Sequence, residues 1–136
     1  MINYRELEDA FLFVSGDLEY MNRAVINKKT GKIYYHSEMT GIDDFPEDVE
    51  SEDYIVVPHK NELDLGRDLV FRFVSSHLPQ KIDEVHQMFR SKGAYRRFKE
   101  FLDELGLLDE YHQFQDEQTT QALLQWCEDN GLQVSE

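Results

Sequence analysis

The apolar residues of this chain change their spacing once, near Glu62, and that change limits the folds open to it. Before it, residues 20–26 and 32–36 form two strand-like runs. They are joined by Lys28-Lys29-Thr30-Gly31, a turn whose glycine is placed for a positive φ, and residues 53–58 read as a third short strand. After it, apolar residues recur at the helical period. Leu69, Val70, Phe73 and Val74 mark one face; Ile82, Val85 and Phe89 a second; Ala94, Phe98, Phe101, Leu102 and Leu105 a third; and Tyr111, Phe114, Ala122, Leu123 and Trp126 a fourth. Leu7, Ala10, Phe11 and Val14 add a short helix ahead of the strands, closed by Ser15-Gly16. The expected fold is therefore α+β: a short N-terminal helix, a three-stranded antiparallel meander, then about four C-terminal helices. The helices must cover the sheet, because three strands alone bury too little. One domain is expected over residues 1–136, with the helix and small sheet in 1–58 and a helical part in 59–136 packed on it.

Length and composition allow this. A chain of 136 residues with 40% hydrophobic content can fill one core, and aromatic residues recur from Tyr4 to Trp126, which argues against disorder. The start, MINYRELEDAFLFV, lacks a basic region followed by a long apolar run, so no membrane segment and a cytoplasmic location are expected. A single cysteine, Cys127, rules out an internal disulfide and reads as a small core residue beside Trp126.

The net charge of −14 is segregated along the chain. Residues 1–66 carry −9, residues 67–99 carry +5 and residues 100–136 carry −10, with no basic group in the last stretch. The basic segment is densest in "SKGAYRRFK", residues 91–99. On a helical wheel Lys92, Arg96 and Lys99 lie opposite the apolar stripe, and Tyr95 and Arg97 lie at its two borders. From there a tyrosine hydroxyl or a guanidinium can reach either a ligand or a backbone carbonyl. Unpaired N–H groups at a helix start, the small Gly93, the hydroxyl of Ser91 and the charges of Lys92, Arg96, Arg97 and Lys99 together suit a phosphate or carboxylate. The opposing reading pairs Arg96 with Glu100 and Lys99 with Asp103 on a solvated face, at about 0.3 to 0.5 kcal/mol each.

A second charged stretch, residues 43–53, holds seven carboxylates and no base. It reads either as a solvated loop or as a contact for a basic protein. In the second reading Phe45 and Pro46 are the apolar anchor within a ring formed by Asp43, Asp44, Glu47 and Asp48. Calcium-loop spacing is absent there. The chain also lacks the nucleophile-elbow, phosphate-loop, zinc-protease and dinucleotide-turn motifs. Asp109, His112 and Asp116 share a helix face, but such spacing arises readily on a charged helix, and neither a metal nor a cofactor is expected.

The runs "VINKKTGKIYY", "DYIVVP", "SKGAYRRFKEFL" and "YHQFQDEQTTQALLQWCEDNGL", in that order, resemble the bacterial uncharacterised protein family 0158 over residues 20–132. The family run is similar to G-K-G-A-F-R-R-F-K-D. This chain has Ser91 for its first Gly, Tyr95 for Phe, Glu100 for Asp, and Tyr111 where Trp is frequent. The resemblance implies a small bacterial cytoplasmic protein and supplies no catalytic residue, since the family has no established activity. The leading expectation is a non-enzymatic regulatory or interaction protein that contacts a protein partner, a basic one, through its acidic surfaces and also recognises an anionic group at residues 91–99. The alternatives are a nucleic-acid-binding module using the same segment, which a net −14 disfavours at long range, and a small enzyme acting on a phosphorylated substrate.

Overall fold

A computed structural model describes residues 1–16 and 20–135. Strand β1 (Ile2–Asn3) leads directly into helix α1 (Tyr4–Ser15), whose first turn is capped by the Asn3 side chain accepting from the Glu6 N–H at 3.1 Å. Strands β2 (Asn22–Asn27), β3 (Ile33–Ser37) and β4 (Tyr54–Val56) follow. Helices α2 (Arg67–His77), α3 (Ile82–Met88), α4 (Ala94–Glu104) and α5 (Leu108–Asp129) and a terminal strand β5 (Val134–Ser135) complete the chain. The α+β architecture, with one helix before the sheet and four after it, is the one the change of apolar period calls for. No helix among the described residues is long and apolar enough to cross a membrane.

The residues group into two compact units, 1–63 with 121–136, and 64–120. The first division falls next to the change of period, while the C-terminal part of α5 belongs with the sheet.

In the first unit α1 packs on β2 and buries Leu7, Ala10, Phe11 and Val14. The sheet is three-stranded and antiparallel, but its order is β3-β2-β4, so the meander order is corrected: β4 pairs with β2 and not with β3. The reason is burial. Ala24, Val25 and Ile26 of β2 are all at most 3% exposed, whereas every residue of β4 is at least partly exposed. The most buried strand takes the middle, and the long 38–53 connection lets the chain return to its free edge.

The β2–β3 turn is set by Asn27, whose Oδ1 accepts from the Lys29 and Thr30 N–H groups, and by Gly31 at φ +78°. A Cβ at position 31 would lie 2.5 Å from the Met1 carbonyl oxygen, so both the backbone conformation and the space demand glycine. Met1 is held there because Ile2 and Asn3 pair in parallel with Val134 and Ser135. These two-residue strands have no periodicity by which sequence could announce them.

In the second unit α2, α3, α4 and the start of α5 enclose a core of Val70, Phe73, Val74, Val85, Phe89, Ala94, Phe98, Leu102 and Tyr111. Leu105, expected on the apolar stripe of α4, is 45% exposed. The helix ends at Glu104, where the Leu107 N–H reaches back to the Leu102 carbonyl at 2.9 Å, and the stripe turns outward with it.

Candidate functional site

The segment that interrupts the acidic chain forms the α3–α4 turn and the first turns of α4. Gly93 stands at the N-terminus of α4 in the left-handed conformation, φ +77°. Ala94 and Phe98 are buried, and Lys92, Arg96 and Lys99 are exposed at i, i+4 and i+7. The ion pairs among the described residues are Lys29–Asp53, His36 with Glu38 and with Asp43, and Lys81–Glu84. Lys92, Arg96 and Lys99 enter none of them. Arg96–Glu100 and Lys99–Asp103, the pairs expected on a merely solvated face, are not formed.

Arg97 behaves differently from its basic neighbours. Its guanidinium donates through Nη1 to the Lys92 carbonyl at 2.7 Å, and through Nη2 to the carbonyls of Met88 at 2.9 Å and Ser91 at 3.4 Å. Of the two roles open at the border of the stripe, it takes the backbone one, binding the end of α3 to the start of α4. Ser91 contributes its carbonyl to this clamp.

The fold adds groups that spacing alone could not bring to the segment. Arg67, at the start of α2, places its guanidinium 5.6 Å from the centre of the Phe89 ring, and Tyr95 meets the same ring edge-on at 5.1 Å. Phe71 lies 5.6 Å from Phe89 and stacks on His86 at 4.1 Å. The rings of His86, Phe71, Phe89 and Tyr95 thus form a band across α2, α3 and α4, with Arg67 against it and Tyr95 40% exposed at one end. Partial burial raises the Tyr95 hydroxyl pKa, and the positive charge of Arg67 acts in the opposite direction. The alternation of aromatic and basic residues in residues 95–99 signalled half of this arrangement. Arg67 and Phe71, more than twenty residues away, carried no signal that they belonged to it.

The acidic stretch is clasped to the sheet. Asp43 pairs with His36 at 3.3 Å, Asp44 accepts from the Tyr35 N–H, Asp48 accepts from the Tyr54 hydroxyl at 3.3 Å, and Asp53 pairs with Lys29 at 3.3 Å. Phe45 and Pro46 are half-buried, and the Phe45 ring packs between His36 at 5.5 Å and the Arg23 guanidinium at 5.4 Å. The apolar anchor is therefore used within the unit, and Glu47 is exposed.

His36 sits between Glu38 at 3.1 Å and Asp43, and hydrogen bonds to these carboxylates, Glu38 first, raise its pKa above the usual 6.5. A raised histidine pKa stabilises the fold fully below the unfolded value and loses that contribution as pH climbs through the folded one. The clasp should hold at pH 6 and loosen as His36 deprotonates. Ring titration by NMR should place His36 above 6.5, with amide exchange at Asp44 quickening over the same interval and the effect absent in His36→Gln. Titration at or below 6.5 would contradict it.

Asp109, His112 and Asp116 do not assemble: among the described residues no group of three histidine, cysteine or carboxylate side chains could hold a metal ion. Cys127 is buried, and burial raises its thiol pKa.

The model of the Uncharacterised protein family (UPF0158) matches residues 2–136, essentially the whole chain, and the chain belongs to that family. No curated protein and no solved structure matches it.

Proposed function

We propose that this protein is a non-enzymatic interaction protein of the bacterial cytoplasm that engages an anionic protein partner through the outward face of α4. Lys92, Arg96 and Lys99 supply the charge, and Tyr95 beside Arg67 supplies a ring. The observation that carries the reading is the exposure of three cations, one turn apart, that enter no ion pair among the described residues of a chain of net charge −14. Phosphate or carboxylate groups are the complementary chemistry. An exposed helix face can present charge to a partner without enclosing a reacting atom, which suits binding better than catalysis.

Nucleic acid is the second reading, favoured by one feature: an exposed tyrosine ring next to an arginine is a stacking platform for an unpaired base. One experiment addresses both. Fluorescence anisotropy would follow a labelled phosphoserine-containing acidic peptide and a labelled single-stranded oligonucleotide, each with wild type and with Lys92→Glu/Arg96→Glu/Lys99→Glu. The triple variant should weaken peptide binding at least tenfold while its stability stays within about 0.5 kcal/mol per substitution, as exposed changes do. Preference for the oligonucleotide, with steep salt dependence and loss in Tyr95→Ala, would transfer the site to nucleic acid. Failure of both probes to bind would remove the proposal.

A further inference from the structure

The second unit carries another unfilled surface, a groove of about 730 Å³ between α2 and α5 that shares only Phe71 with the aromatic band. Phe71 and Phe114 are half-buried in it, and Ser75 and Ser76 line it, both exposed. A recess of about 320 Å³, lined by His77, Glu110 and Glu117, shares Phe114 with it, so that the two adjoin along the same pair of helices.

The charges around this trough are mostly negative, four carboxylates against one arginine. Asp64 and Asp68 line the groove, and Glu110 and Glu117 line the recess. The one arginine, Arg72, is turned to internal use: Nη1 donates to Gln118 Oε1 at 3.2 Å and Nη2 to the Asp64 carbonyl at 2.9 Å. The His77 ring stacks on Phe73 at 4.2 Å, with Nδ1 3.2 Å from the Phe73 carbonyl oxygen. Two aromatic rings thus lie in a trough surrounded by four carboxylates.

We propose that this trough docks a basic amphipathic helix from another protein, with apolar side chains one turn apart over Phe71 and Phe114 and Lys or Arg on either flank facing the carboxylates. A helix is favoured because both walls are helices whose backbone groups are already bonded within themselves. An extended segment would find no main-chain partners there, whereas a helix brings its own hydrogen bonds and offers only side chains. A basic segment is favoured because an acidic one would meet like charge at every carboxylate. A second copy of this chain is a poor occupant. Its basic helix, α4, keeps Ala94, Phe98 and Leu102 inside its own core and has no apolar stripe left for the two rings.

The test uses the full chain and two labelled 18-residue peptides of identical composition. One has leucines at i, i+4 and i+7 with lysines on both flanks; the other has the same residues permuted so that no helical face is apolar. The patterned peptide should bind at least tenfold more tightly than the permuted one. Ser75→Arg/Ser76→Arg, which fills and neutralises the trough at exposed positions, should cost at least tenfold in affinity without moving the melting temperature. The α4 triple reversal should leave this binding intact, so failure here and failure of the α4 reading are separable. Equal binding of both peptides, or unchanged affinity in the double serine variant, would overturn the proposal. So would a dimer, in sedimentation, that dissolves in the serine variant, because the trough would then belong to a second copy.

Discussion

Tyr111→Ala is expected to destabilise the fold by about 3 to 5 kcal/mol, the cost typical of removing a buried aromatic ring. Tyr111 is 2% exposed and stands edge-on to two other core rings, Phe73 at 5.2 Å and 80° and Phe98 at 5.2 Å and 87°. Truncation would open a cavity against both and forfeit two edge-to-face contacts. Tyr111→Phe keeps the rings and isolates the hydroxyl. Burial, the main cause, pushes the Tyr111 pKa up to about 12. An unfolded tyrosine ionises near 10, so the folded state favours the neutral phenol. The resulting stability is complete below about pH 10 and is lost as pH rises towards 12; two units correspond to roughly 3 kcal/mol. Urea unfolding should therefore show Tyr111→Phe gaining on wild type by about 2 to 3 kcal/mol between pH 9 and 12. A difference that stays flat with pH, or a loss below about 1 kcal/mol in Tyr111→Ala, would refute this account of the core.

The helices were legible because their apolar residues repeat at one helical turn, and the residues so marked on α2, Leu69, Val70, Phe73 and Val74, are the ones it buries. The hairpin was legible because Gly31 marks a backbone conformation that other residues resist. Strand order was not: alternation tells which face a residue takes, not which neighbour its strand finds, and β4 joined the buried β2 across a long connection. Nor could the β1–β5 pair be read, since two residues define no period and their partners lie at opposite ends of the chain. The candidate site divides in the same way. Lys92, Arg96 and Lys99 share a face by helical spacing alone, but the approach of Arg67 to the ring beside Tyr95 depends on how α2, α3 and α4 pack. The trough of Phe71 and Phe114 is likewise a product of packing, since each ring alone reads as an ordinary core residue at the edge of a stripe.

Arg97→Ala is expected to cost about 2 to 3 kcal/mol, well above the fraction of a kcal/mol normal for a surface cation. The α3–α4 connection turns sharply at Gly93, leaving the carbonyls of Met88, Ser91 and Lys92 without helical partners. The guanidinium meets all three, and its planar fork does so with one side chain. Gly93 takes part through its backbone, since the turn needs φ +77°, which other residues resist, while a Cβ there would make only an ordinary contact with Nη1 at 3.5 Å. Hydrogen bonds to a charged group contribute about 1.5 to 3 kcal/mol, and exposure of two of the three contacts keeps the total near that of one strong bond. Arg97→Lys separates geometry from charge: an ammonium conserves the +1 but cannot span carbonyls from both sides of the turn, so it should recover less than half of the loss. Arg96→Ala, one residue away and exposed, should change stability by less than about 0.5 kcal/mol. Urea unfolding of the three variants decides the matter. If Arg97→Lys matches wild type, the charge and not the clamp is what position 97 requires, and Arg97 rejoins Lys92, Arg96 and Lys99 on the face offered to an anionic partner.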